Sequence, residues 1–489
     1  MKGCILLQGN YAKIGHSVAL KLKEKYGVDE FCAYIISSRA KEFFDKQTDI
    51  KYTNYLFDDD LHKTYKDETI DIEYLKQMEK KYGDPNFWPY AYSDRVLMMS
   101  LESVDIKTME INPMYNHEEI LKIFQMRLKI YIEFLEKEKP DFILFFSIGL
   151  IGQNLFYNIA KKMGIKVFND DWVRLGNKMA ITENYKTITN IKETFTKINN
   201  NEYISSCVDE AKNIIKKFKE TGSLGLEALQ PHVEVKSDSI TIKKRLSVYY
   251  NLIESYFKDR HLNYVKSSNP IYWLKIKVLY KINKKIGYNK FYSQPKKEED
   301  FIFYPLHFEP ELSIATMAPF FMDQITTIKY LALSIPLNFK IYIKEHPSMV
   351  NYRERSYYKK LLKIPNVVLI DHKINSFDLI KNAKIIAVTT GTAGWEAILL
   401  GKPVITFGNV FFNDFPLTKR CHTPENLPYV VNELLNTYTP NERMLENFVA
   451  AILENSKDIR YFEMEQSEYK NIKNSESLNN LTELIAKKI

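Results

Sequence analysis

Lys384–Gly408 reads KIIAVTTGTAGWEAILLGKPVITFG, and the pattern of this stretch decides the fold. A short apolar run, Ile385–Thr389, ends in a loop of small and hydroxyl residues. A helical segment, Ala393–Leu400, follows, and Pro403–Phe407 is a second apolar run. Strand, loop, helix and strand in that order form the repeating unit of a parallel sheet. The alternation extends toward the N-terminus. Phe301–Leu306, Phe339–Lys344 and Val367–Ile370 are further strand-length runs, with helical segments at Met322–Ile335, Tyr352–Leu362 and Phe377–Asn382 between them. Right-handed crossovers join such runs into one open sheet, spanning residues 301–440.

The N-terminal part carries the same signal. Cys4–Leu7, Phe31–Ile36, Phe142–Ser147 and Lys166–Asn169 read as strands, the last ending at Asp170-Asp171-Trp172. Ser17–Lys25, Glu118–Lys139 and Gln153–Met163 read as helices. FILFFS at Phe142–Ser147 is apolar on both faces, as in a sheet covered by helices on each side. Residues 52–116, polar, Tyr-rich and punctuated by GDPNFWPYAY, read as an insertion of helices and loops in this first lobe, residues 1–204. Residues 205–300 read as a helical connector and 441–489 as a polar helical tail. The fold class is α/β: two Rossmann-like lobes with a cleft between them.

Composition narrows the function. The 489 residues are 45% hydrophobic, which excludes a disordered or fibrous chain. Four cysteines, Cys4, Cys32, Cys207 and Cys421, have neither the clustering of a zinc site nor that of a disulfide framework, which fits a reducing, cytoplasmic setting. The N-terminus lacks a secretory apolar core, and no apolar run approaches the ~20 residues of a spanning helix. The net charge of +8 is local: Lys243–Lys290 holds twelve basic residues against Glu254 and Asp259, interleaved with tyrosines and Trp273. With no recognition motif present, nucleic acid is not the expected partner. An anionic membrane surface is, with Lys281, Lys284 and Lys285 as docking residues, and a solvated helical face is the plain alternative.

In an open parallel sheet, ligands sit beyond the carboxyl ends of the strands. Three such positions carry chemistry. Lys344-Glu345-His346-Pro347 follows the second strand of the 301–440 lobe, and a His fixed by the next Pro can donate to a phosphate while Lys344 adds charge. The same residues also read as a simple turn. Thr389-Thr390-Gly391-Thr392-Ala393-Gly394 opens a helix, where free N–H groups and the dipole favour an anion and small residues permit close approach. The alternative is an N-cap by Thr390 or Thr392, with close packing at Gly394. Glu396, on the first turn, can accept from ribose hydroxyls or complement the helix dipole. The PLHFEPE loop after the first strand supplies His307, Glu309 and Glu311 as candidate bases, and Asp170 and Asp171 are rivals from across the cleft. No DxD-type pair presents itself for a metal, so no metal and no cofactor beyond the donor substrate are expected.

The segment Tyr304–Phe412, through PLHFEPE, IKEHPSM and TTGTAGWEAILLGKPVITFG, resembles bacterial capsular polysaccharide biosynthesis proteins, a group that includes transferases using CMP-activated 3-deoxy-octulosonic acid (Kdo). The His-Pro pair and the hydroxyl-rich loop also resemble the nucleotide-binding motifs of bacterial sialyltransferases. The resemblance implies a GT-B-type, metal-independent glycosyltransferase with a nucleotide-sugar donor, a CMP-sugar favoured, and a glycan or glycolipid acceptor. It assigns His346, Thr389, Thr390 and Thr392 to the donor phosphate and Glu396 to the ribose. It also implies a place at the inner face of the cell membrane. Asp170-Asp171 departs from the sialyltransferase pattern, in which Gly follows the acidic pair; here Trp172 does. The base therefore stays open. A nucleotide-sugar 2-epimerase and a non-catalytic capsule-assembly protein are the alternatives.

Overall fold

The computed structural model describes residues 1–99, 113–225, 250, 253–254, 256–257 and 270–489. In the first lobe the strands are β1 (Lys2–Leu7), β2 (Glu30–Ile35), β3 (Tyr55–Phe57), β4 (Phe142–Phe145), β5 (Lys166–Trp172) and β6 (Lys178–Thr182). The second lobe has β7 (Phe301–Pro305), β8 (Lys340–Lys344), β9 (Val367–Ile370), β10 (Ile385–Val388), β11 (Val404–Thr406) and β12 (Thr418–Arg420), and β13 (Ser456–Asp458) lies in the tail. The first sheet runs β13-β6-β5-β4-β1-β2-β3 and the second β12-β11-β10-β7-β8-β9. The second is parallel throughout, as the continuous apolar runs require of strands covered on both faces. Two Rossmann-like lobes result.

Local chemistry sets the helix ends. Asn116 and Glu119 form a reciprocal capping box that starts helix His117–Glu138, and Lys139 ends it in the left-handed region at φ 45°. The lobes touch directly. A Cβ on Gly149, beyond β4, would meet the Leu312 side chain of the second lobe at 1.9 Å, so a larger residue there would force Leu312 to move. Arg95 Nη1 donates to the Pro310 carbonyl at 3.0 Å, and Thr187 Oγ1 donates to Asp414 at 2.7 Å.

Several expectations are corrected. The 52–116 insertion begins with a strand: β3 pairs with β2 and extends the sheet edge. The tail is neither all helical nor all polar. β13 pairs antiparallel with β6, Phe448 packs edge-on to Phe195 at 5.2 Å, and Leu478, Leu481 and Ile485 join the core of the first lobe. The chain therefore crosses back to the lobe in which it began. In the connector, helix Val208–Thr221 sets Phe218 in the packed core against Phe377 of the second lobe, and Ser293 bridges to Ile370, so the connector is tied to that lobe. Lys243, Lys244, Arg245, Lys258, Arg260 and Lys266 lie outside the described residues. Asp170 and Asp171 are also moved: β5 runs on through them to Trp172 and turns into antiparallel β6, so both lie within a strand.

Candidate active site

His346 caps the turn that follows β8. Its Nδ1 accepts the Ser348 N–H at 3.2 Å, and Pro347 begins the 3-10 turn. Burial lowers the pKa of the ring, so it is neutral near pH 7. Because Nδ1 accepts, the proton of the neutral ring sits on Nε2, which is left as a donor. Lys344 is less free than its sequence position suggests: it is buried and its Nζ donates to Ser376 Oγ at 2.7 Å. Burial lowers its pKa, against the attraction of Glu396 and Asp371.

The hydroxyl loop divides its labour. Thr389 is fully buried and hydrogen-bonded to Tyr304 Oη at 2.8 Å, and Thr390 Oγ1 lies 3.4 Å from Ser313 Oγ, so these two hydroxyls are spent on the scaffold. Helix Thr392–Leu399 is N-capped by Gly391, with no side chain bonded to its first amides; neither threonine is the cap. Its start is open to an anion, and Thr392, half-buried, stands at that start. A Cβ on Gly391 would come within 3.2 Å of the His307 ring, and one on Gly394 within 2.7 Å of Val388, which explains both glycines by close approach.

His307 joins the two loops. Its Nε2 accepts the Thr390 N–H at 3.3 Å, which leaves the proton on Nδ1, 3.5 Å from Glu311. Burial works against the Glu311 carboxylate, yet His307 and Arg174 together hold its pKa below the usual range. Glu309 is a different case and is corrected as a candidate base. It is 2% exposed, ion-paired with Arg353 and hydrogen-bonded to Gln324. Arg353 also pairs with Glu345 at 2.8 Å and donates to the His307 carbonyl at 2.9 Å. This buried Glu309–Arg353–Glu345 cluster ties the loops after β7 and β8 together and so fixes His307 and His346. Its charges survive burial because each has a partner.

From the first lobe, Asp170 and Asp171 point to opposite faces of β5, as successive strand residues do. Asp170 faces Tyr461 of the tail, away from the second lobe, and burial lifts its pKa to about 7. Asp171 faces Arg174 and is raised by burial to about 6. Arg174, unnoticed in the sequence, sits at φ 57° on the turn between β5 and β6. Its guanidinium donates to the Thr390 carbonyl at 3.0 Å and feels Asp171, Glu311 and Glu396. Its only signal in the sequence is its place two residues past the strand end. Burial lifts Glu396 to about 7, against Arg174 and Lys344. The structure thus gathers Asp171, Arg174, His307, Glu311, His346, Thr392 and Glu396 around the open helix start, and leaves Glu309 and Asp170 out. Among the described residues, no group of three His, Cys, Asp or Glu could hold a metal ion.

Comparison with known proteins follows the same residues. The capsule polysaccharide modification protein LipA of Neisseria meningitidis serogroup B (strain ATCC BAA-335 / MC58) is 30% identical over 118 residues, 24% of this chain and 16% of LipA. LipA of serogroup A (strain DSM 15465 / Z2491) is 28% identical over the same extent. The chain therefore matches less than a fifth of the length of these relatives. Among solved structures, Thermosulfurimonas dismutans KpsC, beta Kdo 2,7 transferase, aligns with 13% identity and TM-score 0.36, covering 75% of this chain and 90% of the other. UDP-GlcNAc 2-epimerase from Neisseria meningitidis aligns over the whole of both chains with 14% identity and TM-score 0.23. Residues 224–428 match the family described as capsule polysaccharide biosynthesis protein, a span that includes His307, Glu311, His346 and the Thr389–Glu396 loop.

Proposed function

We propose that the chain is a glycosyltransferase that moves a sugar from a nucleotide donor onto a capsular polysaccharide or its lipid-linked precursor, with a CMP-activated acidic sugar of the Kdo type as the favoured donor. The observation that carries this reading is the fixed tautomer of His346, a neutral ring with its proton on Nε2, in the same lobe as a helix start that no side chain caps. As the glycosidic bond breaks, negative charge grows on the departing phosphate, and preset donors stabilise it without reorganising. His346, the amides of the helix start and Arg174 are such donors. Asp171, with its pKa near 6, takes the proton of the attacking acceptor hydroxyl. Glu396, close to half-protonated at neutral pH, meets the ribose hydroxyls. The similarity of residues 224–428 to capsule proteins and the identity to LipA support the choice of product.

The partner at the acceptor side is an anionic membrane surface. Helix Pro270–Ile286 turns Tyr280 onto Tyr352 at 4.7 Å and Asn283 onto the Asn351 carbonyl, while Leu274, Val278, Leu279, Ile282 and Ile286 stay exposed. Lys281, Lys284 and Lys285 are exposed on the same helix. Among the described residues, no helix is long and apolar enough to cross a membrane. An apolar ridge beside lysines suits a helix lying in an anionic interface.

The test is a thermal-shift panel of CMP, CDP, UDP and GDP, followed by transfer from a CMP-sugar. A ligand at about a hundred times its dissociation constant stabilises by about 2.7 kcal/mol. CMP is expected to give the largest shift, and His346→Ala to lower donor affinity or turnover roughly tenfold or more. No shift with any nucleotide, or unchanged turnover in a folded His346→Ala protein, would overturn the reading. A UDP-selective shift would replace the acidic-sugar donor with a hexose donor.

A further inference from the structure

A second cavity, of about 250 Å³, opens between the lobes outside the site described above. It lies beyond the carboxyl ends of β11 and β12, whereas the candidate active site lies beyond β7, β8 and β10. Strands in a sheet are spaced by about 4.8 Å, so β12 is about 10 Å from β10, roughly the span of one or two sugar residues. The wall between the two sites is thin: the Gly408 N–H bonds to the Thr389 carbonyl at 2.9 Å, and the Asn409 N–H to the Met317 carbonyl at 2.9 Å.

The lining is unusual in what it leaves unpaired. The hydroxyls of Tyr90 and Thr316, residues 4% and 8% exposed, have no hydrogen-bond partner among the described residues, and neither does Arg420 Nε. Burial alone lowers the Arg420 pKa, with no carboxylate to offset it, whereas the neighbouring Lys186 is already paired with Asp84 at 2.9 Å. Phe320 stands 88% exposed at the rim. Buried polar groups are nearly always satisfied, so a cavity lined by three residues that each carry an unpartnered polar atom, Tyr90 Oη, Thr316 Oγ1 and Arg420 Nε, calls for a ligand that brings partners.

We infer that this cavity binds an acidic saccharide unit of the acceptor. Its oxyanion meets the guanidinium fork of Arg420, its hydroxyls meet Tyr90 and Thr316, and its apolar ring face lies on Phe320. The inference rests on the glycosyltransferase reading for the word acceptor. The binding itself does not.

Saturation-transfer NMR on the full chain, with CMP present to fill the donor site, tests it with three probes: methyl glucuronoside, glucose 6-phosphate and methyl glucoside. The expected result is signal from one or both acidic probes and none from methyl glucoside. Arg420→Ala is expected to weaken binding at least tenfold, Arg420→Lys less, and Tyr90→Phe measurably, while CMP still raises the melting temperature of each variant. The stronger acidic probe identifies the oxyanion as carboxylate or phosphate. Equal signal from methyl glucoside, no signal from any probe, or acidic-probe binding unchanged in both Arg420→Ala and Tyr90→Phe would overturn the inference. Failure of CMP to bind while the acidic probes do would instead count against the donor reading alone.

Discussion

Arg174, on the turn after β5 of the first lobe, donates from Nη1 to the main-chain carbonyl of Thr390 in the second lobe at 3.0 Å. The contact crosses the cleft at the hydroxyl loop, and the guanidinium also feels the carboxylates of Asp171, Glu311 and Glu396. Arg174→Ala is expected to lower kcat/KM by roughly 10²–10³, the loss of one charge-stabilising donor. Because residue 174 lies at φ 57°, Arg174→Gly should melt no lower than Arg174→Ala while being equally inactive. Steady-state kinetics and thermal melts of the two variants check both statements.

With Asp171 as the proposed base, its carboxylate is expected to set the acid limb of the pH profile. Burial raises its pKa to about 6, and a base works only when deprotonated, so kcat/KM should fall as the pH drops through about 6. Asp171→Asn should lower turnover by about 10²–10⁴ and remove that limb. Glu311, held below the usual carboxylate range, would instead place the limb below pH 4.5. A pH series on the wild type and on both Asp171→Asn and Glu311→Gln separates the two.

Arg353 holds the buried carboxylates of Glu309 and Glu345 together. Arg353→Met leaves Glu309 and Glu345 buried without their cation, which costs about 3–5 kcal/mol. Denaturant titration should show that loss, and Glu309→Gln, which removes a charge and keeps an oxygen for Gln324, should cost less. Residual activity in a folded Glu309→Gln protein would agree with its position away from the cleft.

The proposed membrane docking is expected to be separable from catalysis. Reversing Lys281, Lys284 and Lys285 to Glu should release the protein from anionic vesicles and leave transfer to a soluble acceptor intact, since each near-surface lysine contributes about 1 kcal/mol. Co-sedimentation with anionic and zwitterionic vesicles at two salt concentrations measures it. Binding that ignores charge and salt would count against the anionic surface.

Much of the second lobe was legible before any coordinates. Its five predicted strands lie within a residue or so of β7–β11, because strands covered on both faces must be apolar throughout. β12 was missed because Thr418-Lys419-Arg420 is a polar edge, and β3 and β13 because three-residue edge strands carry too little pattern. His346 and the open helix start were readable from their places after strands. Glu309 and Glu311 were not distinguishable, since two residues in one loop look alike until Arg353 claims one of them.

The sequence by itself determined the alternation of strands and helices, the two lobes and the strand ends where chemistry collects, because periodicity and turn residues act over short range. Only the tertiary structure decided which carboxylates are free. Asp170 and Asp171 are adjacent in the chain yet face Tyr461 and Arg174, and Glu311 is held ionised by a histidine and an arginine that come from different places in the chain. Charge state and accessibility depend on partners the fold brings together, and one of them, Arg174 beside Glu311, comes from the opposite lobe, which no local pattern describes.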